Sequence, residues 1–150
     1  LLQQVETDMT LFFRNLAALP VDGAADAADD MALFEPLRRA FYTDEAFAPA
    51  QRSRLAGWLR RYIARVQQDA VPASERCERM NRANPKYVLR NYLAQQAIDA
   101  LARGDASIIE RLMAVLQRPY DEQPEHDELA DRRPEWARHK PGCSALSCSS

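Results

Sequence analysis

Glycine is scarce in this chain, with four residues in 150 against nine prolines. So few glycines argue against a turn-rich β fold, and neither GxGxxG nor GxxxxGKS/T occurs, so no glycine-rich phosphate loop is expected. Cysteine is also scarce and odd in number, limited to Cys77, Cys143 and Cys148. A secreted disulfide scaffold needs more, so a reducing compartment is expected. No apolar run approaches the ~20 residues that span a bilayer, and no secretory leader pattern opens the chain. Neither sign of charge dominates: 20 basic and 22 acidic residues give a net charge of −2. Such a balance offers no electrostatic reason to expect nucleic acid or an anionic membrane as partner. Lysine is confined to Lys86 and Lys140 while arginine and alanine are plentiful, which suggests a GC-rich bacterial genome and a cytoplasmic protein. The first residues, Leu1-Leu2-Gln3-Gln4, hold no initiator methionine, so the chain reads as a piece of something longer.

What is present is mostly helical. Apolar residues make up 47% and charged residues 28% of the chain, ordinary values for a globular protein. A chain of this length is about one domain, able to bury roughly 70% of its unfolded surface. Val5, Met9, Phe12, Phe13 and Leu16 recur at helical spacing before Pro20. Residues 22–30 are small and acidic, so a linker is expected over about 20–30. A short helix is predicted around Met31, Leu33, Phe34, Leu37 and Phe41. A long one follows Pro49, with Leu55, Trp58, Leu59, Tyr62, Ile63 and Val66 on one side. Its other side carries Arg52, Arg54, Arg60, Arg61 and Arg65, a solvated face or one packed on a further domain. Asn84-Pro85 reads as a helix start ahead of a stripe from Val88 to Leu101, with Gly104 as its C-terminal cap. Asp105 opens a last helix through Ile108, Leu112 and Leu116 that ends at Pro119. The fold expected is all-α, five or six helices over 1–117, followed by an extended arm and thiol tail over 118–150. The arm is rich in proline and acids, and Trp136 is its one large apolar anchor.

Several places could carry chemistry. Cys148, near a serine-rich end, suits thiol exchange, with Cys143 or with a cysteine elsewhere; an inert surface thiol is the other reading. His126, His139, Cys143 and Cys148 are compatible with zinc, but their H-x12-H-x3-C-x4-C spacing lacks a CxxC knuckle. Asp121, Glu122 and Glu125 could pair as general acid and base or hold a divalent cation, though a solvated face explains them as well. Arg90 and Asn91 lie off the apolar stripe and, with Tyr92 and Trp136, are candidates for a domain interface; an ordinary polar helix face is the plainer reading.

Three strings occur in fixed order: Asn84-Pro85-Lys86-Tyr87-Val88-Leu89-Arg90-Asn91-Tyr92-Leu93-Ala94-Gln95, then Pro119-Tyr120-Asp121-Glu122-Gln123-Pro124-Glu125, then Pro134-Glu135-Trp136 with the terminal Cys-Ser-Ser. Together they resemble the C-terminal third of the selenoprotein O family of protein adenylyltransferases. The opening segment through Met9-Thr10-Leu11-Phe12-Phe13-Arg14 is similar to what leads into that region. The resemblance covers essentially the whole chain and is weakest over 20–50. It implies a parent enzyme with a protein-kinase-like fold that uses ATP and Mg2+ or Mn2+ to transfer AMP to hydroxyl side chains of proteins. The nucleotide site and catalytic residues of that family lie N-terminal to this region, so no catalytic residue, cofactor or metal is assigned here. The partner implied is the kinase-like domain of the same chain. Some eukaryotic members carry selenocysteine where Cys148 stands, which implies a redox role for Cys148, and Cys143 fits the bacterial pattern. An independent helical module that binds a protein partner is the rival from another class, and a zinc-binding tail the third.

Overall fold

In the computed structural model the described residues are 5–21, 29–43 and 48–143. The opening Leu1–Gln4 string, most of the acidic linker and Cys148 lie outside them. Six α-helices and three 3-10 segments make up the regular structure among the described residues, with one isolated antiparallel bridge, Thr7 to Phe41. The all-α reading is correct. The chain divides into two compact units, Leu1–Asn84 and Pro85–Ser150.

In the first unit, α1 (Met9–Leu16) opens on Asp8, whose carboxylate accepts the Leu11 N–H at 3.0 Å. That carboxylate is buried and also accepts the Tyr42 hydroxyl at 3.2 Å, while the Asp8 N–H donates to the Ala40 carbonyl at 2.7 Å. One residue therefore caps α1 and ties it to the chain that leaves α2 (Asp30–Phe34) and its 3-10 extension (Glu35–Ala40). Pro49 sits in the first turn of α3 (Pro49–Gln68), where its missing N–H costs nothing. Phe12, Leu37 and Leu59 have no exposed surface, and each contributes ~2–3 kcal/mol of burial. Around them pack Leu16, Leu33, Phe34, Leu55 and Ile63, with Phe12 edge-on to Phe41 at 6.2 Å.

The fourth helix, α4 (Ala73–Ala83), is built differently. Its one buried residue is Arg76, so it has no apolar stripe to bury. The Arg76 guanidinium instead donates to the carbonyls of Leu16 (3.3 Å), Ala17 (3.0 Å) and Leu19 (2.7 Å). These carbonyls lie at and just beyond the C-terminal end of α1, where the helix dipole also favours a cation; the Leu16 carbonyl is shared with the Leu19 N–H at 3.3 Å. Arg14 on α1 returns the contact, donating to the carbonyls of Asn81 and Asn84, both at 2.9 Å, where α4 ends. Each helix thus supplies the arginine that caps the other.

In the second unit, α5 (Asn91–Leu101) and α6 (Ser107–Leu116) pack against each other. Gly104 takes φ +82°, a left-handed conformation that lets the Asp105 N–H return to the Ala100 carbonyl at 3.0 Å. The Asp105 carboxylate accepts the Ser107 N–H at 2.9 Å and so opens α6. α5 begins at Asn91 and not at Asn84-Pro85, because residues 84–90 are pulled into an extended path by a contact described below. Residues 118–143 hold two 3-10 segments, Pro124–Ala130 and Glu135–Ala137, and their Leu129, Ala130, Ala137 and Cys143 join Tyr87, Leu93 and Val115 in the core.

Candidate functional site

Two of the strings that carry the family resemblance, 84–95 and 119–125, grip one another. α6 ends ahead of Pro119, and the Pro119 carbonyl accepts both the Lys86 N–H (2.8 Å) and the Tyr87 N–H (3.1 Å). Gln123 is buried, and its side-chain amide donates to the carbonyls of Val115 (3.2 Å) and Arg118 (2.9 Å), capping α6. The Tyr87 hydroxyl, buried in turn, donates to the Gln123 carbonyl at 2.8 Å. Lys86 completes the clamp with its ammonium at 2.6 Å from Glu122 and 2.7 Å from Asp127. Partial burial works against the charge on Lys86, yet the hydrogen bonds it donates to Asp127 and Glu122 outweigh it and raise the ammonium above its ordinary value. Burial likewise pushes the Tyr87 phenol up.

Each of the acids that sequence reading weighed as a catalytic or metal set faces a basic side chain, and only Glu122 belongs to the clamp. Glu122 faces Lys86, Asp121 lies 3.9 Å from Arg118, and Glu125 lies 4.0 Å from His126. His126 accepts from Arg111 through Nδ1 at 3.2 Å, which requires the ring proton on Nε2. Arg111 also bonds Glu128, whose own backbone N–H and Arg111 together hold its carboxyl below the usual carboxylate range. Among the described residues no group of three or more His, Cys, Asp or Glu side chains is placed to hold a metal ion. None of their helices is long and apolar enough to cross a membrane.

Beside the clamp lies a groove of about 620 Å3, floored by Tyr92, Leu93, Leu112 and Leu129 and rimmed by Asp99 and Arg103. Its size is that of a small-molecule or peptide side-chain site. The four candidate interface residues are placed as follows. Arg90 and Asn91 are half-buried at the start of α5. Tyr92 is buried, with Trp136 edge-on to its ring at 6.1 Å and its hydroxyl donating to the Asp131 carbonyl at 3.4 Å. Trp136 is 50% exposed and has the Lys140 ammonium 5.6 Å from its ring centre. Lys140 also pairs with Asp99 at 2.9 Å. Cys143 carries a free thiol and is only 4% exposed, set in the core at the end of a turn in which its N–H donates to the Lys140 carbonyl at 3.0 Å. The preceding Gly142 has φ +83°, and a Cβ there would also meet Gln95. Sequence reading missed Arg76, Lys86 and Gln123 as structural residues; the one signal was that Lys86 is one of two lysines in the chain.

Among the described residues the regular structure is helical and two distinctive strings interlock, and comparison with known proteins gives the family. The model of the family described as protein adenylyltransferase SelO matches residues 1–117. The chain belongs to that family. It is 61% identical to the protein nucleotidyltransferase YdiU of Nitrosospira multiformis, over 99% of this chain and 29% of that protein. It is 49% identical to the protein of the same name from Rhodopirellula baltica, over all of this chain and 29% of that protein. The counterpart from Xanthomonas axonopodis pv. citri is 51% identical over all of this chain and 27% of its own length. The chain thus spans under a third of the length of these relatives.

Proposed function

We propose that this chain is the C-terminal helical part of a protein adenylyltransferase, where it buttresses the kinase-like domain that performs the transfer. The observation that carries the reading is the family match over 1–117, with relatives named as protein nucleotidyltransferases over three times its length. In the reaction proposed for the parent, a Ser, Thr or Tyr hydroxyl oxygen attacks the α-phosphorus of ATP. The bond to the bridging oxygen breaks, pyrophosphate leaves, and the hydroxyl proton passes to a base. ATP and Mg2+ or Mn2+ belong to the parent, and the residues of this chain hold the scaffold in shape. The clamp of Lys86, Tyr87 and Gln123 fits that role because it fixes the chain on both sides of α5 and α6.

The second part of the proposal concerns the thiol tail. Cys148 forms a disulfide with a cysteine of the kinase-like domain; the two thiols lose two electrons and two protons to a disulfide-bearing oxidant, and a thiol reductant reverses the step. The disulfide restrains the nucleotide site and lowers activity. What supports this is the family pattern at Cys148, and the burial of Cys143, which fixes where the tail leaves the fold. The test is AMP incorporation from labelled ATP into protein by the full-length parent, with and without reductant, in wild type and Cys148→Ser. Incorporation that reductant raises in wild type alone is the expected result. A parent that incorporates no AMP overturns the first part, and an unchanged redox response in Cys148→Ser overturns the second.

A further inference from the structure

We infer that the apolar flank of the α5–α6 pair, formed by Ile98, Leu101, Ile109 and Met113, is the surface on which the rest of the parent polypeptide docks. This deepens the buttress reading and rests on it. Ile98 and Leu101 lie one turn apart on α5, at 58% and 51% exposure, and Ile109 and Met113 one turn apart on α6, at 37% and 61%. Helical spacing puts all four on the side of the pair away from Asp99, Arg103 and Arg111, which line the groove. α6 carries only Glu110 and Arg111 as charges, and its apolar residues run almost all the way round it. A helix of that composition is normally covered on both flanks.

The four residues together expose roughly 400 Å2, the size of the largest apolar patch on a typical monomer, which is often functional. The choice of occupant follows from area and chain length. Two copies meeting through this patch would bury only about 800 Å2, short of the ~1,200 Å2 of a specific dimer. A region on the same polypeptide is held near at millimolar effective concentration and needs no such area. The relatives supply that region, since about seven-tenths of their length lies outside the part this chain matches. Lack of charge on the flank also fits a permanent contact better than a transient one.

The experiment is maleimide labelling of Met113→Cys in the full-length parent, read as modification of the peptide holding position 113 by mass spectrometry. Labelling at least about tenfold slower in the native parent than in urea, and independent of protein concentration, is expected. Native labelling within about twofold of the urea rate shows an open face and overturns the inference, as does protection lost on dilution, which assigns the face to a second copy. Ile98→Lys provides the second reading: it should lower the melting temperature of the parent, while Arg103→Glu on the opposite flank should not. Equal effects of the two would also overturn it. AMP incorporation is scored separately. A parent that transfers AMP with position 113 open loses this inference alone, and one that shields position 113 without transferring AMP loses the functional reading.

Discussion

Replacing Arg76 with methionine keeps most of the side chain's volume and removes its guanidinium. The carbonyls of Ala17 and Leu19 then lose the Arg76 donor, and that of Leu16 keeps only the Leu19 N–H. A hydrogen bond to a charged group contributes ~1.5–3 kcal/mol, less where water can take its place. With partial rehydration of these acceptors, the expected cost is about 3–5 kcal/mol, two to three such bonds less what water restores. That is a large share of the ~5–15 kcal/mol that holds a domain folded, and for a unit of this size it lowers the melting temperature by on the order of 15 °C or more. The two tryptophans make the assay selective, since Trp58 reports the first unit and Trp136 the second. In a Trp136→Phe background, urea unfolding followed by Trp58 fluorescence reads the first unit, and Trp58 stacks on Tyr62, itself hydrogen-bonded to Arg76. Arg79→Met is the control: Arg79 pairs with Glu75 on an exposed surface, and its loss should cost under ~0.5 kcal/mol. If Arg76→Met costs no more than Arg79→Met, reciprocal arginine capping does not hold α1 to α4.

Two further outcomes are expected in the second unit. Tyr87→Phe removes the 2.8 Å bond to the Gln123 carbonyl and should cost about 1–1.5 kcal/mol in a urea titration followed by Trp136 fluorescence; no change would mean that water replaces the hydroxyl. The hydrogen bonds from Lys140 and Gln95 hold the Asp99 carboxyl below its ordinary 3.8, so its stabilisation is present above that value and is lost as pH falls through the lower folded pKa. Asp99→Asn should therefore be less stable than wild type at neutral pH, with the two stability curves converging below about pH 4; parallel curves would show that the pair contributes nothing.

Five of the six helices were legible in sequence, one with its start misplaced, because each buries a stripe of large apolar residues. α3 is the clearest, with Leu55, Leu59 and Ile63 at helical spacing and all buried. The helix α4 was not read at all. Its only apolar residues larger than alanine are Cys77 and Met80, and a periodicity argument cannot see a helix held by an arginine that reaches carbonyls some sixty residues away. The start of α5 was misplaced for a related reason. Asn84-Pro85 is a sound local start signal, yet the Pro119 carbonyl, 33 residues on from Lys86, draws the chain straight instead. Leu89, expected on the buried stripe, is accordingly 57% exposed. The strings 84–95 and 119–125 stood out as unusual sequence, but that each is the other's partner depends on backbone acceptors, which carry no residue code. The arm beyond 118 showed few large apolar residues, and the small ones it does bury, Ala130, Ala137 and Cys143, are hard to tell in sequence from surface residues.

Burial of Cys143 makes it a mooring post. Whatever path the chain takes beyond it, five residues extend at most about 18 Å, so the backbone of residue 148 is confined to a sphere of that radius around position 143. Any cysteine that pairs with Cys148 has to lie within or just beyond that sphere. Proteins of this family can therefore be sorted by measuring one distance in a whole-chain structure, from position 143 to the nearest cysteine outside this region.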